Sequence, residues 1–162
     1  MVEADTIKNQ PLKEPKRSSV HHLLAHSYLV YFFAFLLGFI LDFAFPIRIL
    51  KSEISSILGF GLLFFGTLLI FWAQRTSSLL NTENLSKETF NNGPYKYTRS
   101  PTHYGLYFVI LGFGILADAL FIVVLASISF LITKFHFIRK QENLLVKKYG
   151  AHYEAYQKSV KL

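Results

Sequence analysis

The chain has 162 residues, of which 52% are apolar and 17% aromatic, with a formal net charge of +7 and a mean hydropathy of +0.35. This composition excludes an ordinary soluble domain, a disordered chain and a collagen-like repeat, because the apolar residues come in long blocks. The absence of Cys excludes disulfides, thiolate zinc sites and thiol nucleophiles.

Residues 1–27 form a polar segment, which we predict to be a cytoplasmic N-terminal arm. It contains Pro11 and Pro15 and is interpreted as a mobile arm or as the start of a helix on the membrane surface. It does not resemble a signal peptide, because the polar stretch is long and the apolar run that follows has full span length. Residues 28–162 are predicted to form a single membrane domain.

Four apolar stretches follow the arm, and each is a candidate membrane-spanning helix. Their approximate bounds are 28–45, 54–73, 102–117 and 119–138. The first two have the roughly 20 residues that cross a hydrocarbon core about 30 Å thick. From Tyr104 to Thr133 the only ionic residue is Asp118. Because a single helix of that length would rise about 45 Å, we predict a helical hairpin that turns at Ala117 and Asp118.

The Lys and Arg residues are distributed unevenly around these stretches. Of the 17, only Arg48 and Lys51 lie between the first and second stretches, and none lies at the predicted hairpin turn. The positive-inside rule therefore predicts a multi-pass membrane protein with both termini cytoplasmic. Because the cations flank apolar stretches and form no dense run, we expect membrane lipids and no nucleic acid among the partners. Nothing in the sequence predicts the oligomeric state.

A cluster of functional side chains ends the loop between the second and third stretches. Residues 91–94, Asn-Asn-Gly-Pro, predict a turn. Residues 95–105 then contain three Tyr, Lys96, Arg99 and His103, and Pro101 suits the first turn of a helix. On composition alone, anchoring at the lipid headgroups is an alternative explanation for the Tyr, Lys and Arg residues.

A second cluster follows the fourth stretch, where residues 139–162 are predicted to form cytoplasmic helices. Between Lys134 and Val160 the apolar residues fall on a helical stripe, and Glu142 lies at its edge near Arg139. The pair Tyr149-Gly150 is typical of a helix end, and a second short helical segment follows it.

Together, the two clusters resemble the integral-membrane methyltransferases of the isoprenylcysteine carboxyl methyltransferase and phospholipid methyltransferase superfamily. The first cluster reads G-P-Y-x-Y-x-R-x-P-x-x-x-G from Gly93 to Gly105. The second reads R-x-x-E-x-x-L-x-x-x-Y-G-x-x-Y-x-x-Y from Arg139 to Tyr156. The occurrence of both motifs, separated by an apolar hairpin, is specific to this superfamily. With the apolar pattern, the resemblance implies an all-α membrane fold with four transmembrane helices, the last two a hairpin, and C-terminal helices that cover a cofactor pocket.

The resemblance also implies that S-adenosylmethionine is the cofactor. The cofactor-binding candidates that match the motifs are Tyr97, Arg99, Ser100, Pro101, His103, Tyr104, Gly105, Gln141 and Glu142. The catalytic candidates are Arg99, His103 and Glu142. Three positions depart from the superfamily pattern, since Ser100 replaces the usual His, His103 the usual Tyr and Gln141 the first Glu of an acidic pair.

The charges of these side chains suggest roles. Glu142 is expected to bind the ammonium of the cofactor's methionine end, with Gln141 supplying a neutral hydrogen bond, and Arg99 to position a carboxylate of cofactor or substrate. His103 is a candidate general base if the acceptor is an amine or a thiol. A carboxylate acceptor needs no base, because the anion attacks the methyl group directly.

The expected acceptor is a lipophilic small molecule or a lipidated substrate. A prenyl-type carboxylate, a thiol and a lipid headgroup all fit, and the motif context places the prenyl-type carboxylate first. One alternative is an NADPH-dependent membrane reductase of the sterol or enoyl type on the same scaffold. Another is a non-catalytic membrane scaffold. Binding of S-adenosylmethionine, of NADPH or of neither would discriminate among the three.

Further residues have structural explanations. No spacing of His, Asp and Glu predicts a metal site. Asp42 and Asp118 are predicted to cap helix ends on the outer side. Close packing between helices is predicted at Gly59, Gly61, Gly66, Gly112 and Gly114, with a groove that admits a lipid tail as the alternative.

Overall fold

In a computed structural model of the protein, the described residues are 17–48, 53–78 and 91–160, with side chains described from residue 25 onward. Over these ranges the regular structure is helical, without strands. Three helical segments are long and apolar enough to cross a membrane, namely Ala25–Ala44, Glu53–Ser78 and Leu120–Tyr149, and a shorter apolar helix covers Pro101–Leu116. The predicted all-helical fold class is therefore confirmed.

The helices have the following bounds. Helix α1 is Arg17–Ala44, α2 is Glu53–Ser78, a short 3-10 turn is Gly93–Lys96, α3 is Pro101–Leu116, α4 is Leu120–Ile132, a π-helical segment is Thr133–Ile138, α5 is Arg139–Tyr149 and α6 is Ala151–Ser159. The predicted division between residues 27 and 28 lies inside α1, since nothing between Arg17 and residue 27 is a Pro or Gly that would end a helix. Residues 1–16 of the predicted arm lie outside the described ranges.

Facing glycines bring α2 and α3 into close contact. A Cβ added to Gly66 would lie 2.7 Å from the carbonyl oxygen of Gly105, and one added to Gly59 would lie 2.9 Å from that of Gly112. These two pairings run in opposite directions along the helices, so α2 and α3 are antiparallel. The predicted close packing is confirmed at these positions. It is wrong for Gly61, which has no atom within 4 Å of an added Cβ because it lies on the exposed face of α2.

A tight turn connects α3 to α4. Asp118 has a φ of 56°, and the Ala119 N–H donates to the carbonyl of Gly114 at 2.8 Å. A Cβ added to Gly114 would lie 2.9 Å from Val123 Cγ2, which confirms close packing there. Further along, the rings of Tyr107 and Phe130 stack with centroids 4.5 Å apart. Helices α3 and α4 are therefore antiparallel neighbours.

Asp42 connects α1 to the start of α4. The N–H groups of Phe121 and Ile122 donate to its two carboxylate oxygens, each at 3.0 Å. The first N–H groups of a helix have no partner within the helix, and its N-terminus favours negative charge. Asp42 thus caps a helix end as predicted, although the helix is α4 and not its own. We call this side of the bundle the Asp42 end.

The opposite side of the bundle, the Glu142 end, is covered by α5 and α6. Gly150 separates the two helices with a φ of 59° and a ψ of −139°, a conformation that favours glycine. Tyr153 and Tyr156 are buried, and the Tyr156 hydroxyl donates to the carbonyl of Tyr95 at 2.7 Å. Helix α6 is thereby held against the 3-10 turn that precedes α3, so the two sequence motifs meet at this end.

Candidate functional site

An ion pair joins the two sequence motifs. Arg99 Nη1 lies 2.9 Å from Glu142 Oε1, and the two side chains are 19% and 12% exposed. Gln157 Nε2 on α6 donates to the other Glu142 oxygen at 3.1 Å. Arg99 precedes α3 and Glu142 lies in the first turn of α5, which continues the helix of α4 through the π-helical segment, so the contact joins the start of α3 to this extension.

A polar pocket of about 200 Å³ surrounds this ion pair. Its lining residues are Arg99, Ser100, Tyr104, Lys134, Phe135, Ile138, Arg139 and Glu142. Three cations and one carboxylate lie beside aromatic and aliphatic side chains, so the pocket combines a net positive charge with an apolar wall. We call it the polar pocket.

The polar pocket is also lined by four residues that were not predicted as site residues, namely Lys134, Phe135, Ile138 and Arg139. Lys134 Nζ donates to the Tyr104 hydroxyl at 3.4 Å and lies 5.9 Å from the centroid of that ring. Arg139 lies 5.9 Å from the ring of Phe135. The signal available in the sequence was helical periodicity, because residues 134, 135, 138 and 139 share a helix face with Glu142.

Four predicted site residues, Arg99, Ser100, Tyr104 and Glu142, meet at the polar pocket. Three others lie elsewhere. Pro101 is buried in the first turn of α3, Gly105 packs against α2 with an added Cβ only 2.6 Å from Ile70 Cγ1, and Tyr97 is 66% exposed on another surface. Pro101 and Gly105 therefore shape the start of α3 without lining the polar pocket.

His103 and Gln141 lie together, away from the polar pocket. His103 is 2% exposed, and its ring centroid is 5.6 Å from that of Tyr28 on α1. Gln141 also interacts with the imidazole, yet neither ring nitrogen has a well-formed hydrogen bond among the described residues. Adjacent helical residues point about 100° apart, so His103 faces the bundle interior whereas Tyr104 faces the pocket.

Two buried tyrosines support the site from α6. Burial raises the pKa of the Tyr153 phenol, and the negative charge of Glu142 raises it further. Burial likewise raises the pKa of the Tyr156 phenol. Both phenols therefore stay protonated at neutral pH, which suits them to hold α6 in place and not to act as bases.

Two apolar grooves lie on different faces of α3. The Tyr28 groove, of about 510 Å³, is lined by Tyr28, Tyr31, Phe32, Phe35, Leu63, Ile70, Gln74, Thr102, Leu106, Val109, Ile110 and Phe113. The Trp72 groove, of about 780 Å³, is lined by Phe65, Leu68, Leu69, Phe71, Trp72, Arg75, Pro94, Tyr97, Thr98, Tyr104 and Phe108. Tyr104 lines both the Trp72 groove and the polar pocket, so these two spaces are adjacent.

Comparison with known proteins gives one match. A family model described as phospholipid methyltransferase matches residues 54–152, from the first turn of α2 to the start of α6. No curated protein and no solved structure matches the chain. The family supports methyl transfer and gives no support to the reductase alternative. Because the matched region covers well over half of the chain and contains both halves of the polar pocket, this all-helical membrane protein belongs to the phospholipid methyltransferase family.

Proposed function

We propose that the protein transfers a methyl group from S-adenosylmethionine to a lipophilic acceptor at the cytoplasmic face of a membrane. Membership of a methyltransferase family supports the reaction type. The observation that carries the proposal is the ion pair of Arg99 and Glu142, because it brings both motif segments to one polar pocket. The residues around that pair have the chemistry that the cofactor requires.

The donor set of the polar pocket fits the amino-acid end of the cofactor. That end carries an ammonium and a carboxylate, which call for an acceptor and a cation respectively. Glu142 supplies the acceptor and Arg99 the cation. The Arg99 Nε is buried and makes no hydrogen bond among the described residues, so it retains a donor for a ligand.

When bound, S-adenosylmethionine supplies a methyl group on a positively charged sulfur. The residues of the chain bind and orient the reactants, and they exclude water. Arg99 and Glu142 fix the polar end, while the Tyr104 ring and Phe135 form an apolar wall. Orientation and exclusion of water are the contributions expected from a site for direct displacement.

The acceptor is proposed to carry an apolar tail and a reactive head. The Trp72 groove adjoins the polar pocket at Tyr104 and offers an apolar surface for the tail. Lys134 and Arg139 add positive charge where the head would lie. Because His103 lies outside the polar pocket, the arrangement favours a carboxylate, which needs no base, over a thiol or a lipid headgroup amine.

The proposed topology places four helices, α1 to α4, across the membrane, with α3 and α4 as a hairpin. Both termini and the polar pocket are on the cytoplasmic side. The distribution of Lys and Arg supports this orientation. Reversal of the chain at residues 117–119 and the antiparallel contacts of α3 and α4 support the hairpin.

Calorimetric titration of the detergent-purified protein with S-adenosylmethionine and its demethylated product tests the proposal. We expect micromolar binding of both, weakened by at least about tenfold in Glu142→Gln, which keeps the shape and removes the charge. Glu154→Gln, an exposed carboxylate on α6, is the matched control and should bind like wild type.

The other outcomes separate the alternatives. Unchanged affinity in Glu142→Gln would show that the cofactor site is elsewhere. Binding of NADPH in place of S-adenosylmethionine would support a reductase. Binding of neither cofactor would support a non-catalytic scaffold.

A further inference from the structure

The Tyr28 groove differs in charge from the Trp72 groove and from the polar pocket. None of its described lining residues is Lys, Arg, Asp or Glu, whereas Arg75 lines the Trp72 groove and three cations line the polar pocket. At about 510 Å³ it is within the range of sites that hold small molecules. A ligand in this groove would therefore have no charged side chain to pair with among the described lining residues.

Side chains along the Tyr28 groove divide it into an apolar part and a polar end. The part nearer the Asp42 end is formed by residues such as Phe35, Leu63 and Phe113. Tyr28, Gln74 and Thr102 lie at the Glu142 end of the groove. A phenol, an amide and a hydroxyl can all donate and accept hydrogen bonds without carrying charge.

The walls of the groove explain why it stays open. Helix α1 packs mainly on α4, and α2 packs mainly on α3, so α1 and α2 border the groove without packing closely on each other. Tyr28 and Gln74, on these two helices, are both exposed at its polar end. Buried His103 contacts Tyr28, and the Tyr28 groove and the polar pocket share no lining residue among those described.

We infer that the Tyr28 groove binds a lipophile with a single chain and an uncharged, hydrogen-bonding head, such as an alcohol or a carbonyl compound. The hydrophobic effect favours burial of the ligand's chain against the apolar wall. The head would form hydrogen bonds with Tyr28 and Gln74. An ionic head would find no charged partner among the described lining residues, so the groove offers it no gain over a neutral head that hydrogen-bonds there. This binding site goes beyond the proposed methyl transfer and does not depend on it.

Fluorescence quenching can test the site because the chain has a single Trp. Trp72 reports on the Trp72 groove in the wild-type protein. The double variant Trp72→Phe, Phe35→Trp moves the indole into the Tyr28 groove. Three probes share one brominated twelve-carbon chain and differ in the head: bromododecanol, bromododecanoate and bromododecyltrimethylammonium. Each is titrated into the full-length protein in detergent, and bromine quenches an indole that it approaches.

In the double variant we expect saturable quenching by the alcohol at a concentration about tenfold lower than that needed for either ion. The wild-type indole should show no preference for the alcohol. Adding Gln74→Leu or Tyr28→Phe should raise the half-saturating concentration of the alcohol by about fivefold. Tyr97→Phe, which removes a hydroxyl from the other groove, is the matched control and should leave it unchanged.

Two results would overturn the inference. One is equal quenching of the double variant by all three probes, which would mean nonselective partitioning of the chain. The other is an unchanged alcohol titration in both Gln74→Leu and Tyr28→Phe, which would show that the polar end does not bind the head. Neither result would bear on cofactor binding, which is measured separately at the polar pocket.

Discussion

The two ends of the helix bundle each contain a carboxylate that connects distant segments. The two carboxylates differ in whether polar groups beside them remain free to bind a ligand. At the Asp42 end, each carboxylate oxygen accepts one backbone N–H from the start of α4, and neither groove nor the polar pocket includes Asp42. At the Glu142 end, the carboxylate pairs with Arg99 beside a pocket, and a buried guanidinium nitrogen retains an unused donor. A carboxylate whose two oxygens both bind backbone groups of the fold has a structural role. A carboxylate beside a pocket and an unused donor is suited to binding a ligand.

The largest effect on stability is expected from the glycine contacts between α2 and α3. Gly66→Ala places a Cβ 2.7 Å from the carbonyl oxygen of Gly105, so the helix backbones must move apart. We expect a loss of about 3 kcal/mol in the free energy of unfolding, measured by thermal or denaturant unfolding in detergent. Gly61→Ala is the matched control and should be neutral or stabilising, because its Cβ meets no atom within 4 Å. Equal losses in both variants would contradict the contact between the helices.

Removing the carboxylate at the Asp42 end should weaken the fold without affecting the binding site. Asp42→Ala leaves two N–H groups at the start of α4 unpaired, so we expect a loss of about 2 kcal/mol. Unfolding and titration with S-adenosylmethionine are measured on the same preparation. The distinction between the two ends would fail if cofactor affinity fell while stability did not change.

At the Glu142 end, removing the ion pair should weaken cofactor binding more than it weakens the fold. Arg99→Gln removes the cation that pairs with Glu142, one of three cations in the polar pocket. Affinity for S-adenosylmethionine should therefore fall by about tenfold or more, because charge-assisted hydrogen bonds are lost. The change in unfolding free energy should stay near 1 kcal/mol, since the pair is partly open to solvent. Lys96→Gln, an exposed cation on the same loop, is the control. A large loss of stability with unchanged affinity would assign the pair a purely structural role.

The smallest effect is a pH dependence from α6. Burial raises the pKa of the Tyr153 phenol above its ordinary value of 10.0. Below that value the phenol is protonated in both states, so its contribution to stability is constant. Above about pH 10 the unfolded chain loses the proton first, and stability falls as pH rises. Tyr153→Phe should reduce this alkaline loss, measured by unfolding between pH 9 and 11, and an unchanged slope would contradict it.

The apolar pattern and the motifs predicted much of the fold and part of the site. Runs without charge predicted the apolar helices, and the matching spacing of the two motifs predicted a methyltransferase relative, which the family model confirms. Four of the predicted site residues, including Arg99 and Glu142, meet at one pocket. Local spacing is sufficient to predict these helices, because helical periodicity and helix-ending residues depend on neighbours only a few residues away along the chain.

The remaining features depend on how helices pack against one another. No local pattern indicates that Asp42 would cap a helix that begins near residue 120, that Gly61 would face outward while Gly66 meets Gly105, or that His103 would face Tyr28. A periodic pattern gives the angle between side chains on one helix but not the rotation of that helix against its neighbours. The sequence by itself therefore determined the helices, their membrane character and the family, whereas the tertiary structure decided which side chains share a pocket. The reason is that contacts between distant segments are selected by packing across the whole bundle.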